Sequence, residues 1–374
     1  MTSNKQIASV ILSVSIFGLT YGISSPLISL KLLNSGATES IIGLNAAMQA
    51  VGVFLIAPVL PWLFRRFKAA NLMIISLIAI AIIFILFTET SYTAWYGLRL
   101  LLGMFSEIIM VQSETWLNST TVERARGKVL SLYTAGMSLG FATGPLLLSF
   151  TGSSSNYGFS LAGIIAFISG FILFKTGMKQ SANHDHSGDN ICKSLKLATI
   201  PVMATALNAA VEVIGLNFLS IYATKLGWDE SSSTFLISVL MIGAIVLQLP
   251  VGWIADKIER MLLIKILAYT SAITAFIWPH VLNNHLVAYA VLFLWGGIFV
   301  GIYTVSITWV GQHFQGEQLT GIYAAMSVSW GTGALAGPLL GGLAMQNTLN
   351  GLPYLTGLLC LSFAVFSSLA KKNI

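Results

Sequence analysis

The sequence predicts an all-α integral membrane protein of twelve transmembrane helices, arranged as two parallel six-helix pseudo-repeats. Three observations carry that prediction: an apolar composition, twelve segments of spanning length, and a pattern that returns after half the chain. Of 374 residues, 56% are apolar and 9% are charged, against about 25% charged in an ordinary soluble domain. A span takes roughly 20 mainly apolar residues. Such segments lie at 6–32, 38–63, 71–89, 92–116, 127–150, 158–178, 197–222, 232–252, 261–281, 286–310, 319–345 and 351–370.

The first segment, "IASVILSVSIFGLTYGISSPLISL", exceeds the apolar core of a signal peptide and reads as a retained helix. Span orientation follows from basic residues. With a cytoplasmic N-terminus, Lys5, Arg65, Arg66, Lys68, Arg124, Arg126, Lys128, Lys175, Lys179, Lys193, Lys196, Lys257, Arg260, Lys265, Lys371 and Lys372 fall inside. These are 16 of 19 Lys and Arg, so the positive-inside rule puts both termini in the cytoplasm. A net charge of +6 is explained by that bias, and no soluble basic surface suited to nucleic acid exists. Cys192 and Cys360 offer no disulfide framework.

The repeat appears when positions 191 apart are compared: Gly36 with Gly227, Glu39 with Glu230, Ser40 with Ser231, Gly52 with Gly243, and Trp62 with Trp253. Further on the offset is 193, pairing Gly103 with Gly296 and Ser113, Thr115 and Trp116 with Ser306, Thr308 and Trp309. "GPLL" at 144–147 likewise meets "GPLL" at 337–340. The polar linker at 175–196 divides six spans from six, giving an N-terminal bundle at 1–174 and a C-terminal one at 197–374. An even number of spans per half makes the repeat parallel, the organisation of a transporter whose two halves rock.

Several signatures carry a family resemblance. "GWIADKIER" at 252–260 matches G-x-x-x-D-[RK]-x-G-[RK] at Gly252, Asp256, Lys257 and Arg260, with Glu259 in place of the second glycine; "PWLFRRFKA" keeps the basic character in the first half. Span 5 has Gly140, Gly144 and Pro145, and span 11 has Gly333, Gly337, Pro338, Gly341 and Gly342, in the manner of G-x-x-x-G-P-x-x-G-G. Arg99 and Gly103 sit as in R-x-x-Q-G, with Leu102 at the glutamine position. Over essentially its whole length the chain resembles the major facilitator superfamily, in its drug or metabolite:proton antiporter-like branch. The resemblance implies spans 1, 4, 7 and 10 around a central cavity, and a link between Arg99 and proton coupling. For the glycine and proline positions, close helix packing is the competing explanation. Arg65, Arg66, Glu114, Arg126, Asp256, Lys257 and Arg260 are expected to act as a cytoplasmic gate, with positive-inside anchoring as the simpler alternative for the basic ones.

Span 4, "LRLLLGMFSEIIMVQSETW", carries Arg99, Glu107 and Glu114, where the repeat has Leu292, Val300 and Ile307. The scaffold therefore does not need these charges, and each costs roughly 2.5–3.5 kcal/mol on insertion scales for comparable ions. At 100° per residue Glu107 lies about 80°, and Glu114 about 60°, around the helix from Arg99, so the three share a sector. At 1.5 Å per residue Glu107 is about 22 Å from the outer end, near mid-membrane, and Arg99 about 10 Å. In span 7 Glu212 is also near mid-membrane, with Asn208 one turn away and Tyr21 as its repeat partner in span 1. Glu107 or Glu212 is expected to take a proton, with Arg99 modulating it or holding an anionic solute, and with Asn208 and Tyr21 as neighbours. A structural Glu212 bonded to Asn208 is the other reading.

Tyr133, Met137, Tyr303 and Trp330 are further cavity candidates, although packing is the commoner role of aromatic residues in spans. His184, His186 and the aspartates of "HDHSGD" at 184–189 could hold a metal, but short linkers produce such pairs by chance, and no metal or cofactor is expected. Neither a nucleotide-binding loop nor a hydrolase motif is present, so the chain reads as no enzyme. The expected function is secondary transport of a small organic solute by a monomer in a bacterial inner membrane. Proton-coupled export by antiport is the first choice and proton-coupled uptake of a sugar or organic anion the alternative. A membrane receptor or a channel is the remaining reading.

Overall fold

The computed structural model describes residues 4–121, 123–177 and 195–370; the side chains at 123, 124, 126, 127, 317 and 320 are not described. The histidines of the 184–189 stretch, Cys192 and the side chain of Arg126 therefore lie outside the described residues. Among the described residues there are twelve helical segments of spanning length. Nine meet both length and apolarity requirements for a membrane span. The other three are α5 (Trp95–Thr120), α6 (Glu123–Thr151) and α13 (Gly316–Asn347), whose charged or small polar residues dilute an otherwise spanning length.

The remaining elements are α1 (Asn4–Asn34), α2 (Glu39–Ile56), α3 (Leu60–Arg66), α4 (Ala69–Glu89) and α7 (Tyr157–Thr176) in the first half of the chain. The second half contributes α8 (Thr199–Lys225), α9 (Glu230–Val246), α10 (Gln248–Ala255), α11 (Arg260–Val281), α12 (His285–His313) and α14 (Gly351–Leu369).

Two spans expected to be continuous are broken. A 3-10 turn at Ala57–Val59 separates α2 from α3, with Pro58 and Pro61 supplying no backbone N–H to the ladder. In the second half α9 gives way to α10 at Leu247, three residues before Pro250. There the Gln248 side-chain amide donates to the Ala244 carbonyl at 2.7 Å, and Thr304 Oγ1 donates to Gln248 Oε1 at 2.5 Å. Proline sets the break, and a side chain satisfies the backbone group that the break would leave open.

The chain divides into two compact units. Among the described residues, one comprises 4–36 and 48–177, the other 37–47 and 195–370. In the first, α1 packs against α6 and α7, and α4 packs against α5 and α7. The second repeats the scheme: α8 packs against α13, and α11 against α12 and α14. Glycines let the backbones approach. A Cβ at Gly52 would meet the Leu100 carbonyl and one at Gly103 the Gln49 carbonyl; the repeat-related Gly243 and Gly296 face Phe293 and Leu240 in the same way. Gly36 (φ +86°) and Gly227 (φ +92°) end α1 and α8 in the left-handed region that disfavours a side chain. Thus one backbone plan is written twice.

Interior aromatic clusters add to the packing that stabilises each unit, since lipid supplies no hydrophobic force between helices. Phe87 and Phe159 stack at 5.2 Å between α4 and α7, while Trp295 and Phe299 stack at 4.8 Å within α12. Serines in spans return their hydroxyls to the preceding turn, as Ser13 does to the Ser9 carbonyl at 2.9 Å.

Candidate functional site

In the first unit α5 carries the three charges of span 4 and sorts them by exposure. Arg99 is 1% exposed. Glu107 is half-buried and Glu114 is exposed. Tyr21 of α1 is the electrostatic neighbour of Arg99, and it packs edge-on to Phe141 of α6 at 5.3 Å. Glu107, by contrast, has Glu114 as its charged neighbour. Tyr133 of α6 is buried beside Ser113, near both glutamates. Arg99 and Glu107 are eight residues apart, about 12 Å along the helix, and they belong to different local clusters. The shared sector expected for them does not bring them into contact.

Neither Glu107 nor Glu212 forms an ion pair with any described residue. In the second unit α8 presents Glu212, half-buried, to Asn208, whose Nδ2 donates to Glu212 Oε2 at 3.3 Å. Asn208 is 7% exposed, and its Oδ1 has no hydrogen-bond partner among the described residues. The face opposite is committed to packing: Cβ atoms at Gly333 and Gly337 of α13 would collide with the backbone of Ala206 and Ala210.

Met137 of α6 and Trp330 of α13 are both half-buried and related by the 193-residue offset. Tyr303 packs against a buried cluster that includes Trp309, Val310 and Ile322. Gly140 and Gly144 face the backbone of α1 at Ser15 and Gly22. Pro145 and Pro338 lie inside α6 and α13.

The charges at the helix ends are dispersed. Arg65 and Arg66 are exposed in the last turn of α3, where cations suit the helix dipole, and neither pairs with Glu114. Arg260 pairs with Asp256 at 3.6 Å, and Lys257 Nζ lies 3.2 Å from the Trp253 ring centroid. Two contacts and one open position escaped sequence reasoning. In the second unit Lys225 forms an ion pair with Glu39, which the sequence marked only as a repeat position. The Thr304 to Gln248 bond has no linear motif. Gly215, three residues after Glu212, has no heavy atom within 4 Å of the place a Cβ would take; the only hint in the sequence is a glycine close to an intramembrane acid.

Comparison with known proteins agrees with this architecture. The pattern described as Major Facilitator Superfamily matches residues 10–338. The chain is 25% identical over 350 residues to the MFS-type transporter YfkF of Bacillus subtilis (strain 168), across 90% of this chain and 88% of that protein. Its fold is similar to the crystal structure of the nucleoside transporter NupG, with a TM-score of 0.79 and 14% identity over 98% of this chain and 97% of the other. It is also similar to that of a D-xylose-proton symporter, with a TM-score of 0.78 and 16% identity over 97% and 96%. At such identities the two structures speak for the fold alone.

Proposed function

The chain belongs to the major facilitator superfamily, and on that premise we propose that it is a proton-coupled antiporter exporting a small organic solute. It is a multi-pass membrane transporter working by alternating access, and not an enzyme. The observation that supports proton coupling is the state of its two mid-span acids. Glu107 and Glu212 are half-buried and form no ion pair with a described residue. An ionised carboxylate held that way is costly, and a proton is the counter-ion that removes the cost. Export is favoured by the glycine and proline pattern around Pro145 and Pro338, through its resemblance to the antiporter branch.

The finer reading assigns both termini and the 175–196 linker to the cytoplasm of a bacterial inner membrane, with residues 1–174 and 197–374 as the functional halves of a monomer. Arg65, Arg66, Glu114, Arg126, Asp256, Lys257 and Arg260 then exchange charge partners at the cytoplasmic helix ends during the cycle. Arg99, buried with Tyr21 as its electrostatic neighbour, supports the position of span 4.

The test is flux into proteoliposomes with an acidic lumen and an internal pH dye, screened against a panel of organic solutes. Antiport predicts lumenal alkalinisation on solute addition, whereas symport predicts further acidification. Glu107→Gln and Glu212→Gln are each expected to abolish proton-driven flux. Full gradient-dependent flux in both variants would overturn proton coupling through these acids.

A further inference from the structure

We propose that the open face of α8 at Gly215, together with Asn208 and Glu212, is a subsite for a cationic head group that donates hydrogen bonds, such as a primary ammonium or a guanidinium. The proposal rests on the transporter reading above and specifies the solute that this site takes.

Glycines within the spans of this chain serve mainly to let backbones touch, as Gly52, Gly103, Gly243 and Gly296 do. The glycines in turns, such as Gly36 and Gly227, are open because the chain reverses there. Gly97, Gly215 and Gly252 fit neither group, and of these three it is Gly215 that stands in mid-span, three residues from Glu212. It lies in mid-helix between Ile214 and Leu216, both 0% exposed, yet a Cβ there would meet no heavy atom within 4 Å. At 100° per residue Glu212 is about 40° from Asn208 and about 60° from Gly215, so the three make one stripe. Ala206 and Ala210, which face α13, are about 120° and 160° from Glu212. A helical side chain leans toward the N-terminus, so one placed at 215 would cover the turn that bears Glu212. The missing side chain therefore leaves room beside the carboxylate.

Hydrogen bonding sets what that room accepts. Asn208 spends an amide N–H on Glu212 Oε2, and its Oδ1 is buried without a partner among the described residues. An ionised carboxylate only accepts. Two acceptors and a negative charge call for a cation with N–H groups, and a buried acceptor left unmet is unfavourable. The head group and a proton then compete for one carboxylate, and such mutually exclusive binding is what exchange requires.

The test uses Gly215→Cys in a Cys192→Ser, Cys360→Ser background. The purified protein is labelled with 2-aminoethyl methanethiosulfonate, a cation, or with 2-sulfonatoethyl methanethiosulfonate, an anion, each rate being normalised to that of 2-mercaptoethanol. The cation is expected to react about tenfold faster than the anion, and Glu212→Gln should bring the ratio to about one. No reaction with either reagent, or a preference that Glu212→Gln leaves unchanged, overturns the subsite. A second readout uses the chain with native Gly215: methylguanidinium, a cation with N–H donors and no nucleophilic amine, should slow carbodiimide labelling of Glu212, read by mass spectrometry, while propanesulfonate should not. Equal effects of the two, or none, count against the proposal even where Gly215→Cys does not fold. Both readouts are made without a proton gradient, so failure of the subsite is distinguishable from failure of proton coupling.

Discussion

Asp229, the residue before α9, shows how a single polar group is conditioned by its place. Its side chain accepts the Ser232 backbone N–H at 2.9 Å, which holds the carboxyl below the ordinary aspartate value. Because the folded-state pKa is the lower one, the stabilisation is complete above the unfolded-state pKa and is lost as pH falls through the folded value. Asp229→Ala should cost about 1 kcal/mol at neutral pH through loss of the cap. Asp229→Asn should keep most of the cap and remove the acid-side dependence of this site. Thermal unfolding in detergent at neutral and acid pH checks both outcomes. The repeat-related Thr38 caps α2 with a neutral hydroxyl, which accepts the Ile41 N–H at 3.4 Å. Two halves of like plan thus differ in how an end responds to acid.

At the level of helices, small residues decide whether neighbours seat. Gly103 against Gln49 and Gly296 against Leu240 are equivalent contacts of backbone on Cβ position, one in each half. Gly103→Val and Gly296→Val should each destabilise their unit by roughly 3 kcal/mol, the upper part of the overpacking range. Gly36→Ala and Gly227→Ala meet no atom, and their cost is the left-handed backbone alone, roughly 1–2 kcal/mol. The ordering, seam above turn and alike in the two halves, is read from the monodisperse fraction after a temperature ramp. A Gly103→Val protein as heat-stable as Gly36→Ala would remove the seam from its structural role. The breaks after α2 and α9 follow the same economy of local cause. Prolines close to each break are visible in the sequence, but the Gln248 and Thr304 side chains that satisfy the second break meet only through folding.

For the molecule as a whole, orientation is the first thing to test. Single cysteines at Ser91 and Asn283 should react with a membrane-impermeant maleimide on intact cells. Cysteines at Phe67 and Ile258 should react only after permeabilisation. The reverse pattern would invert the assignment of cytoplasmic and outer ends, and with it the proposed gate. The alternation of spans, the half-chain repeat and the basic bias were legible because each is a one-dimensional property: lipid demands apolar runs of fixed length, and charge sets which ends stay inside. The partners of the intramembrane charges were less legible. Angle and rise along one helix placed Arg99 and Glu107 in a common sector, yet Arg99 takes Tyr21 as its neighbour and Glu107 takes Glu114.

Composition, span length and the half-chain repeat were enough to specify twelve helices in two like-oriented halves, because a bilayer allows few ways to bury a backbone, while the major facilitator type came from the resemblance of short motifs such as "GWIADKIER". The fold alone settled how each polar group is answered. It separated a guanidinium at 1% exposure from two accessible glutamates, joined Lys225 to Glu39, and left space beside Glu212. Hydrogen bonds and Coulomb interactions act over a few ångströms, and distances that short between segments far apart in the chain exist only after the helices have packed.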